Sequence, residues 1–302
     1  MSSVSFIIPV FNKAKYLNTV ITSLMHQNGD FKREFIFIDD GSTDNSLSII
    51  KTKTKKLKNC KIISQKNKGS AKATNVGIKL ATMKYIKFLD ADDILVNKAT
   101  ISLLNILEKN DDVILAYGLQ RKVRDIRNTK LNDKFDSKDT LFLNKPIKLA
   151  MRNSMFNPSQ FMVRTKMCKK VNGCDERVVF SQEYSLTLKL ACKGNFVRLN
   201  YPIAILPESA PGQISEKKNN QIYRVSKSLE LFLKDNPQLP LRYKLYAQRR
   251  LTARAWRFAR NKKLRAYFIK HFSLYLLGLL KINFKINKVC EEANTIYENF
   301  LD

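Results

Sequence analysis

The chain of 302 residues is poor in the side chains that build structural metal sites. Its two histidines, His26 and His271, lie far apart, and its five cysteines include no Cys-x-x-Cys pair. Zinc sites made of Cys and His need closely spaced ligands, so none is expected. An odd number of scattered cysteines is typical of a reducing compartment, which indicates the cytosol.

Long apolar runs and a basic leader are also missing. A membrane-spanning helix needs roughly 18–20 apolar residues, and the longest candidate, Phe272–Leu280, is shorter than that. Met1–Val10 has no basic start and leads directly into a strand-like segment, so we expect no signal peptide.

Negative charge is scarce. The chain has 26 Asp and Glu against 55 Lys and Arg, a formal net charge of +29. Such a field attracts polyanions, among them nucleic acid, anionic lipid, nucleotide phosphates and acidic glycans. A lysine-rich solvated surface gives the same composition, so the charge alone does not choose a partner.

Apolar, β-branched segments alternate with helical patterns through about the first 120 residues. The predicted strands are Val4–Val10, Glu34–Ile38, Lys61–Ser64, Tyr85–Leu89 and Val113–Tyr117. The predicted helices are Ala14–Gln27, Asp44–Lys56, Ser70–Ala81 and Lys98–Lys109. This alternation predicts an α/β fold with a parallel, doubly wound sheet and a ligand at the carboxyl ends of the strands.

The later part of the chain has a different pattern. Arg121–Asp139 is polar and poor in strand signals, which indicates an excursion or an edge hairpin. Pro202–Ser215, with three prolines and a glycine, is predicted to be a loop. Residues 216–302 are predominantly helical by composition.

Acidic side chains follow two of the predicted strands. Asp39 and Asp40 end the second strand, and Asp90, Asp92 and Asp93 end the fourth. Three carboxylates within four positions repel one another, and a divalent cation that also binds diphosphate oxygens would compensate them. A solvated acidic turn that caps the next helix is the alternative.

The segment Asn67–Gly77 leads into the third predicted helix. Gly69 permits a tight turn there, and the amino end of a helix favours phosphate or another anion. Lys68 and Lys72 add positive charge. An ordinary glycine-containing turn is the alternative.

Four segments together resemble the inverting glycosyltransferases of family 2. They are Ser5–Asn12, Asp39–Asp44, Asn67–Gly77 and Tyr85–Asp93, which occur in the order and spacing of that family. The resemblance covers residues 3–120 well and extends more weakly to about 215. It implies a GT-A fold, with a Rossmann-like, mostly parallel sheet flanked by helices. The implied catalytic domain is 1–215, divided into a nucleotide-sugar half (1–120) and an acceptor half (121–215), followed by a basic helical region (216–302).

The resemblance also implies roles for single residues. Pro9 and Phe11 match the turn beside the nucleoside, and Asp39 and Asp40 match the acidic pair that contacts the base. The acids of the family's DXD motif match Asp90 and Asp92, which face the ribose and a metal-bound diphosphate, with Asp93 in the neighbourhood of the metal. The implied cofactor is Mn²⁺ or Mg²⁺.

One position of the donor site departs from the family. Thr74 stands where family members often carry an arginine before the residue that matches Asn75. We expect Lys68 or Lys72 to supply the missing cation. Lys68, Lys72 and Asn75 therefore complete the predicted donor-binding set.

The second half of the predicted catalytic domain offers one candidate base. Gly173–Glu176 resembles the turn before the family's catalytic acid, and Gln182–Leu190 resembles the helix start that carries it. In that register Gln182 stands where the family carries a glutamate, which is a second departure. Glu183 takes the aspartate position of the base, which removes the proton of the acceptor hydroxyl. A glutamate stabilised by the helix dipole is the alternative. Ala210–Ser215 resembles the loop that closes over the donor, and it also fits a simple linker.

The stretch Arg242–Lys288 contains fourteen Lys or Arg and no Asp or Glu. Arg250, Arg254, Arg257 and Arg265 are predicted to share one helical stripe. A basic amphipathic helix with aromatic residues can lie on an anionic membrane. A helical bundle that packs on the catalytic domain and exposes a basic face is the alternative.

These features predict a cytoplasmic hexosyl-type glycosyltransferase, with the inner face of the membrane as an additional docking surface. A UDP-sugar is the expected donor, and a glycan or lipid-linked glycan of the cell envelope is the expected acceptor, with inversion at the anomeric carbon. Two alternatives stay open: a basic nucleic-acid-binding protein, and an inactive relative that binds sugars. No nucleic acid is expected, because acids at the strand ends would repel a phosphate chain.

Overall fold

The computed structural model describes residues 1–129, 139–178, 182–209, 218–280 and 285–300. The strands are β1 (Ser3–Val10), β2 (Lys32–Asp39), β3 (Cys60–Ser64), β4 (Tyr85–Phe88), β5 (Ile94–Leu95), β6 (Val113–Val123), β7 (Thr140–Leu143), β8 (Phe161–Arg164) and β9 (Asn195–Pro207). The helices of the first 200 residues are α1 (Ala14–Met25), α2 (Ser46–Thr54), α3 (Ser70–Leu80), α4 (Ala99–Lys109), α5 (Ile147–Arg152), α6 (Thr165–Lys170) and α7 (Gln182–Ala191). The later helices are α8 (Lys218–Asp235), α9 (Leu241–Asn261), α10 (Arg265–Leu279) and α11 (Ile286–Phe300).

One sheet organises the first two thirds of the chain. Its strand order is β3-β2-β1-β4-β8-β6-β9-β5, and β7 pairs with β9. The pairs among β1 to β4 are parallel, as predicted, but β8 enters antiparallel between β4 and β6. The predicted α/β architecture with helices around the sheet is confirmed. Periodicity did not reveal the antiparallel insertion, because it does not show which strands become neighbours.

Alternate residues of β1 belong to two separate core layers. Phe6 and Ile8 pack on the side of α1 and α4, whereas Ile7 packs on the side of α3. Helices therefore cover both faces of the strand, which explains why it is apolar throughout. On the α3 side, a Cβ on Gly77 would lie 2.4 Å from Cγ2 of Ile7, so only glycine allows this helix to approach the sheet so closely.

The prediction of a loop over Pro202–Ser215 is wrong for its first part. Residues up to Pro207 belong to β9, which pairs in parallel with β6. The register between these strands shifts near Pro202, which pairs with Leu119. Prolines are tolerated in strands at such irregularities, so the proline signal here marked a bulge and not a loop. The segment Ala210–Ser215, with Gly212, lies outside the described residues.

Of the four C-terminal helices, α8 and α9 pack on the sheet domain, and α10 and α11 pack against these helices. One hydrophobic cluster joins residues of α5 and α7 to Phe232, Leu251, Phe258 and Tyr297. No helix among the described residues has the length and apolarity that crossing a membrane requires. The division of the chain at residue 215 stays a prediction.

The predicted arginine stripe is only partly available for a membrane. The guanidinium groups of Arg250 and Arg254 donate to the carbonyl oxygen of Arg152, at 2.8 and 3.0 Å. These two side chains join α9 to the end of α5, because arginine can satisfy carbonyl oxygens that a helix end leaves without partners. Arg257, by contrast, is exposed.

Candidate active site

An acidic turn follows β4 at the carboxyl edge of the sheet. Asp90 is half-buried and Asp93 is buried. Ser159 joins them: its hydroxyl accepts a hydrogen bond from the backbone N–H of Asp90 at 3.0 Å and donates to Oδ2 of Asp93 at 2.6 Å. A residue 66 positions away from Asp93 thus fixes the shape of the turn.

A buried lysine lies beneath this turn. Lys87 belongs to β4, and its ammonium group donates to the carbonyl oxygens of Phe88 at 2.9 Å and Ser159 at 2.6 Å. Burial lowers the pKa of Lys87 to about 7, although the nearby charges of Asp93 and Asp90 act in the opposite direction. The acidic turn and the lysine therefore stabilise each other's charged forms.

The acids of the turn are strongly perturbed. Burial, followed by repulsion from Asp92 and Glu183, raises the pKa of Asp90 to about 8. Burial and the neighbouring carboxylates also raise the pKa of Asp93 well above its usual range. Perturbed groups of this kind cluster at functional sites. The turn is arranged to receive additional positive charge.

Lys13 already supplies one such charge. Its Nζ lies 2.7 Å from Oδ2 of Asp92, and both side chains are largely shielded from solvent. The sequence analysis missed Lys13. Its position was nevertheless informative, because it follows β1, which is the parallel neighbour of β4 and ends at the same edge of the sheet.

The structure bears on the predicted metal ligands Asp90, Asp92 and Asp93. Among the described residues, no three Asp, Glu, His or Cys side chains are grouped to hold a metal ion. One carboxylate oxygen of Asp93 accepts a hydrogen bond from the Ser159 hydroxyl, so its role as a ligand stays a prediction. Asp90 and Asp92 alone would suffice for Mg²⁺, which usually binds through one or two carboxylates plus substrate phosphates.

At the end of β2, Asp39 and the following Asp40 are buried. The carboxylate of Asp40 accepts hydrogen bonds from the backbone N–H groups of Lys68 at 2.9 Å and Gly69 at 2.8 Å, and from Nε2 of Gln65 at 2.7 Å. It thereby shapes the turn before α3, where Gly69 has a φ of 86° that favours glycine. The side chains of Lys68 and Lys72 are exposed.

A pocket joins this edge to the second half of the sheet domain. Pro9, Asp90 and Glu183 all line it, together with Thr74. Phe11, two residues after Pro9, lies on the surface and is 44% exposed. The structure therefore brings together one predicted residue from β1, one from the acidic turn and the predicted base from α7.

Glu183 has the protonation behaviour of a base that works near neutral pH. Burial raises the pKa of its carboxyl to about 7, against hydrogen bonds from its own backbone N–H and from Ser154 that lower it. The hydroxyl of Ser154 lies 3.4 Å from Oε1 of Glu183. General bases are most effective when their pKa lies near the working pH.

Asn75 has a different role from the predicted donor contact. Its Nδ2 donates to the carbonyl oxygen of Cys174 at 3.0 Å and to Oε1 of Glu176 at 2.8 Å, and its Oδ1 accepts from the Cys174 N–H at 2.8 Å. Both amide hydrogens are engaged, so Asn75 fastens α3 to the turn before α7. Gln182 is similarly occupied, because its Oε1 accepts from the Ser70 hydroxyl at 2.9 Å.

A mostly parallel sheet with polar and acidic side chains at the carboxyl ends of its strands is typical of α/β proteins that bind a ligand at that edge. Residues 5–171 match the sequence model of Glycosyl transferase family 2, which is more than half of the chain. The chain belongs to this family.

Relatives in bacteria match part of the chain. An uncharacterized glycosyltransferase of Haemophilus influenzae is 39% identical over 119 residues, which are 39% of this chain and 47% of the relative. The poly(ribitol-phosphate) beta-N-acetylglucosaminyltransferase TarP of Staphylococcus aureus is 39% identical over 134 residues, 42% of this chain and 40% of TarP. The chain spans less than half the length of these two curated relatives.

Solved structures share the fold along nearly the whole chain. S. aureus TarS 1-349 superposes with a TM-score of 0.66 at 17% identity, over 99% of this chain and 89% of that one. The mannosyltransferase PcManGT of Pyrobaculum calidifontis, in complex with GDP-Man and Mn²⁺, gives 0.57 at 15% identity, over 97% and 86%. The GT-A fold predicted from the sequence is confirmed.

Replacing Asp93 should lower the stability of the fold more than replacing Asp92. We expect Asp93→Ala to lower the free energy of unfolding by about 1–3 kcal/mol, because Ser159 and Lys87 lose a buried partner. Asp92→Ala should change it by less than about 1 kcal/mol, since it removes one ion pair and also relieves repulsion. Urea unfolding of both variants measures the difference. A larger loss for Asp92→Ala would contradict these roles.

Proposed function

We propose that this protein transfers a sugar from a nucleotide-sugar donor to a hydroxyl group of a glycan or lipid-linked glycan. The observation that carries the proposal is the pocket shared by Asp90 and Glu183. These carboxylates come from β4 and α7, and they differ in surroundings. One lies in the acidic turn beside Asp92 and Lys13, and the other begins a helix across the pocket.

The two sides of the pocket suit two different tasks. On the donor side, Asp92, with Asp90, would hold a divalent cation, which when bound neutralises the diphosphate that leaves. Lys13 adds a fixed positive charge at the same edge. On the acceptor side, Glu183 takes the proton of the attacking hydroxyl as the new glycosidic bond forms. A single displacement of this kind inverts the anomeric carbon.

A UDP-sugar is the donor that the relatives favour. TarS 1-349 has been solved in complex with UDP-GlcNAc, and its TM-score to this chain is 0.63 at 17% identity. TarP is named as an N-acetylglucosaminyltransferase that acts on poly(ribitol phosphate). We therefore propose UDP-GlcNAc as the first donor to test and a cell-envelope polymer as the acceptor class.

The two departures from the family pattern do not remove the required groups. Thr74 lacks a cation, but Lys13 provides one on the opposite wall of the acidic turn. Gln182 lacks a carboxylate, but the next residue, Glu183, lines the pocket and has a pKa near neutrality. This arrangement favours an active transferase over an inactive sugar-binding relative. The acids at the edge also oppose a nucleic-acid-binding function.

A donor screen tests the proposed function directly. The purified protein is incubated with UDP-, GDP- and dTDP-sugars in Mn²⁺ or Mg²⁺, and the released nucleotide is measured. We expect release from one class of donor, a loss of release in EDTA, and a comparable loss for Asp92→Asn in the presence of metal. Turnover that persists unchanged in EDTA would contradict the proposed role of Asp92.

Lys13 should be the cation of the donor site. We expect Lys13→Met to weaken UDP binding about tenfold or more, because a charge-assisted hydrogen bond contributes about 1.5–3 kcal/mol. Lys15→Met is the matched control, since Lys15 is exposed two residues away. Isothermal titration of UDP in Mn²⁺ measures both. If Lys72→Met weakened UDP binding and Lys13→Met did not, the result would contradict the role of Lys13 and support Lys72, which the sequence analysis proposed.

Glu183 should control turnover and its dependence on pH. We expect Glu183→Gln to lower kcat by about 10²–10⁴-fold with little change in UDP affinity. Because the base must be ionised, wild-type turnover should fall as the pH drops below about 7, the pKa of this carboxyl. Glu183→Asp keeps a carboxylate and should recover part of the activity. A retained anomeric configuration in the product, or a loss below about tenfold, would exclude the proposed base.

A further inference from the structure

The outer face of α10 carries a row of apolar side chains that are partly exposed in the described structure. Ile269, Phe272, Leu276 and Leu279 follow one another at intervals of three, four and three residues, which places them on one side of the helix. Between 36% and 54% of each residue is exposed. The opposite side of α10 is buried at His271 and Gly278, where the helix packs against the rest of the bundle.

Aromatic rings extend this row toward α9. The ring of Trp256 contacts those of Phe268 at 5.9 Å, Phe272 at 5.6 Å and Tyr275 at 6.3 Å between centroids. We name Ile269, Phe272, Leu276, Leu279 and the adjoining Trp256 the α10 face. A contiguous apolar surface on a charged protein marks a site of interaction.

Positive charge surrounds the α10 face. The guanidinium groups of Arg257 and Arg260 lie over the Trp256 ring, at 5.5 and 5.3 Å from its centroid. Exposed basic residues continue at Lys263, between α9 and α10, and at Arg265, the first residue of α10. Lys270 is different, because it pairs with Glu292 of α11. No acidic residue occurs between Arg242 and Lys288 in the sequence.

This combination of apolar and cationic groups selects the partner. A second copy of the chain would bring the same cations against one another, and like charges at such short range oppose association. An anionic lipid surface complements both features, because its headgroups attract the cations and its acyl boundary accepts the apolar row. Since no described helix can cross a membrane, the helix would lie along the surface and not span it.

We propose that the α10 face docks this protein on an anionic lipid surface, with Arg257, Arg260, Lys263 and Arg265 on the headgroups. The proposed membrane contact therefore lies on α10 and the residues just before it, and it does not include Arg250 and Arg254 of the predicted stripe. Arg250 and Arg254 of α9 bind the end of α5, whereas the outward residues of α10 are exposed. The proposal does not depend on the transferase activity, and binding to vesicles tests it without any donor or acceptor.

Vesicle flotation of the full chain tests the apolar row. The probes are vesicles of phosphatidylcholine alone and vesicles that also contain phosphatidylglycerol. We expect flotation only with the anionic vesicles, and a reduction of about tenfold in binding for the double variant Leu276→Ser/Leu279→Ser, since it removes two apolar anchors. The matched control is Leu141→Ser/Phe142→Ser on β7, where both residues are about half exposed. The control should float like the wild type.

A second pair of variants tests the charges. Arg260→Gln/Lys263→Gln should weaken binding. The control Lys53→Gln/Lys56→Gln, at exposed positions in α2 and in the turn after it, should leave binding unchanged. Wild-type binding should decrease with salt, because the Debye length is about 8 Å at physiological ionic strength and shorter above it. Thermal unfolding confirms that each variant is folded.

Three results would overturn the proposal. The first is that the wild type stays with the soluble fraction whatever the lipid or salt. The second is that the α10 and β7 variants lose binding equally. The third is that light scattering finds a wild-type dimer and a monomeric Leu276→Ser/Leu279→Ser variant, which would show that a second copy covers the face.

Discussion

Three carboxylates at the end of one strand repel each other, and much of the structure around the site serves to hold them together. Lys87 supports the turn from within the sheet, Ser159 joins two of its residues, and Lys13 pairs with Asp92 from the neighbouring strand end. The turn still lacks enough positive charge, which is why burial and repulsion raise the pKa of Asp90 and Asp93. These shifts are the physical basis for the proposed binding of a cation together with a donor diphosphate.

The irregular part of the sheet also contributes to the acidic turn. Strand β8 runs antiparallel beside β4, with Met162 opposite Lys87, and the residues just before β8 place Ser159 at the end of β4. The strand that departs from the predicted topology is therefore the strand that positions the site.

The sequence predicted the parts of the fold that depend on local pattern. The strands and helices of the first 120 residues, and the acids at their ends, follow from apolar periodicity and from the rule that ligands bind at the carboxyl edge. Contacts between distant segments could not be predicted in this way. The role of Asn75 depends on a turn about a hundred residues later, and that of Asp93 depends on Ser159. Lys87 did carry a signal, since a lysine within an otherwise apolar strand requires a buried partner.

The roles of the basic residues also depend on contacts between distant segments, which local pattern cannot predict. Arginines with the same helical spacing serve different purposes, because Arg250 and Arg254 satisfy carbonyl oxygens of α5 while Arg257 and Arg260 lie exposed against Trp256. Spacing cannot separate the two groups, since both fit one amphipathic helix. Burial separates them, and it also shows that four exposed large apolar residues share one side of α10. The basic side chains thus have at least two roles. Some satisfy carbonyl oxygens within the protein, and others are exposed at its surface.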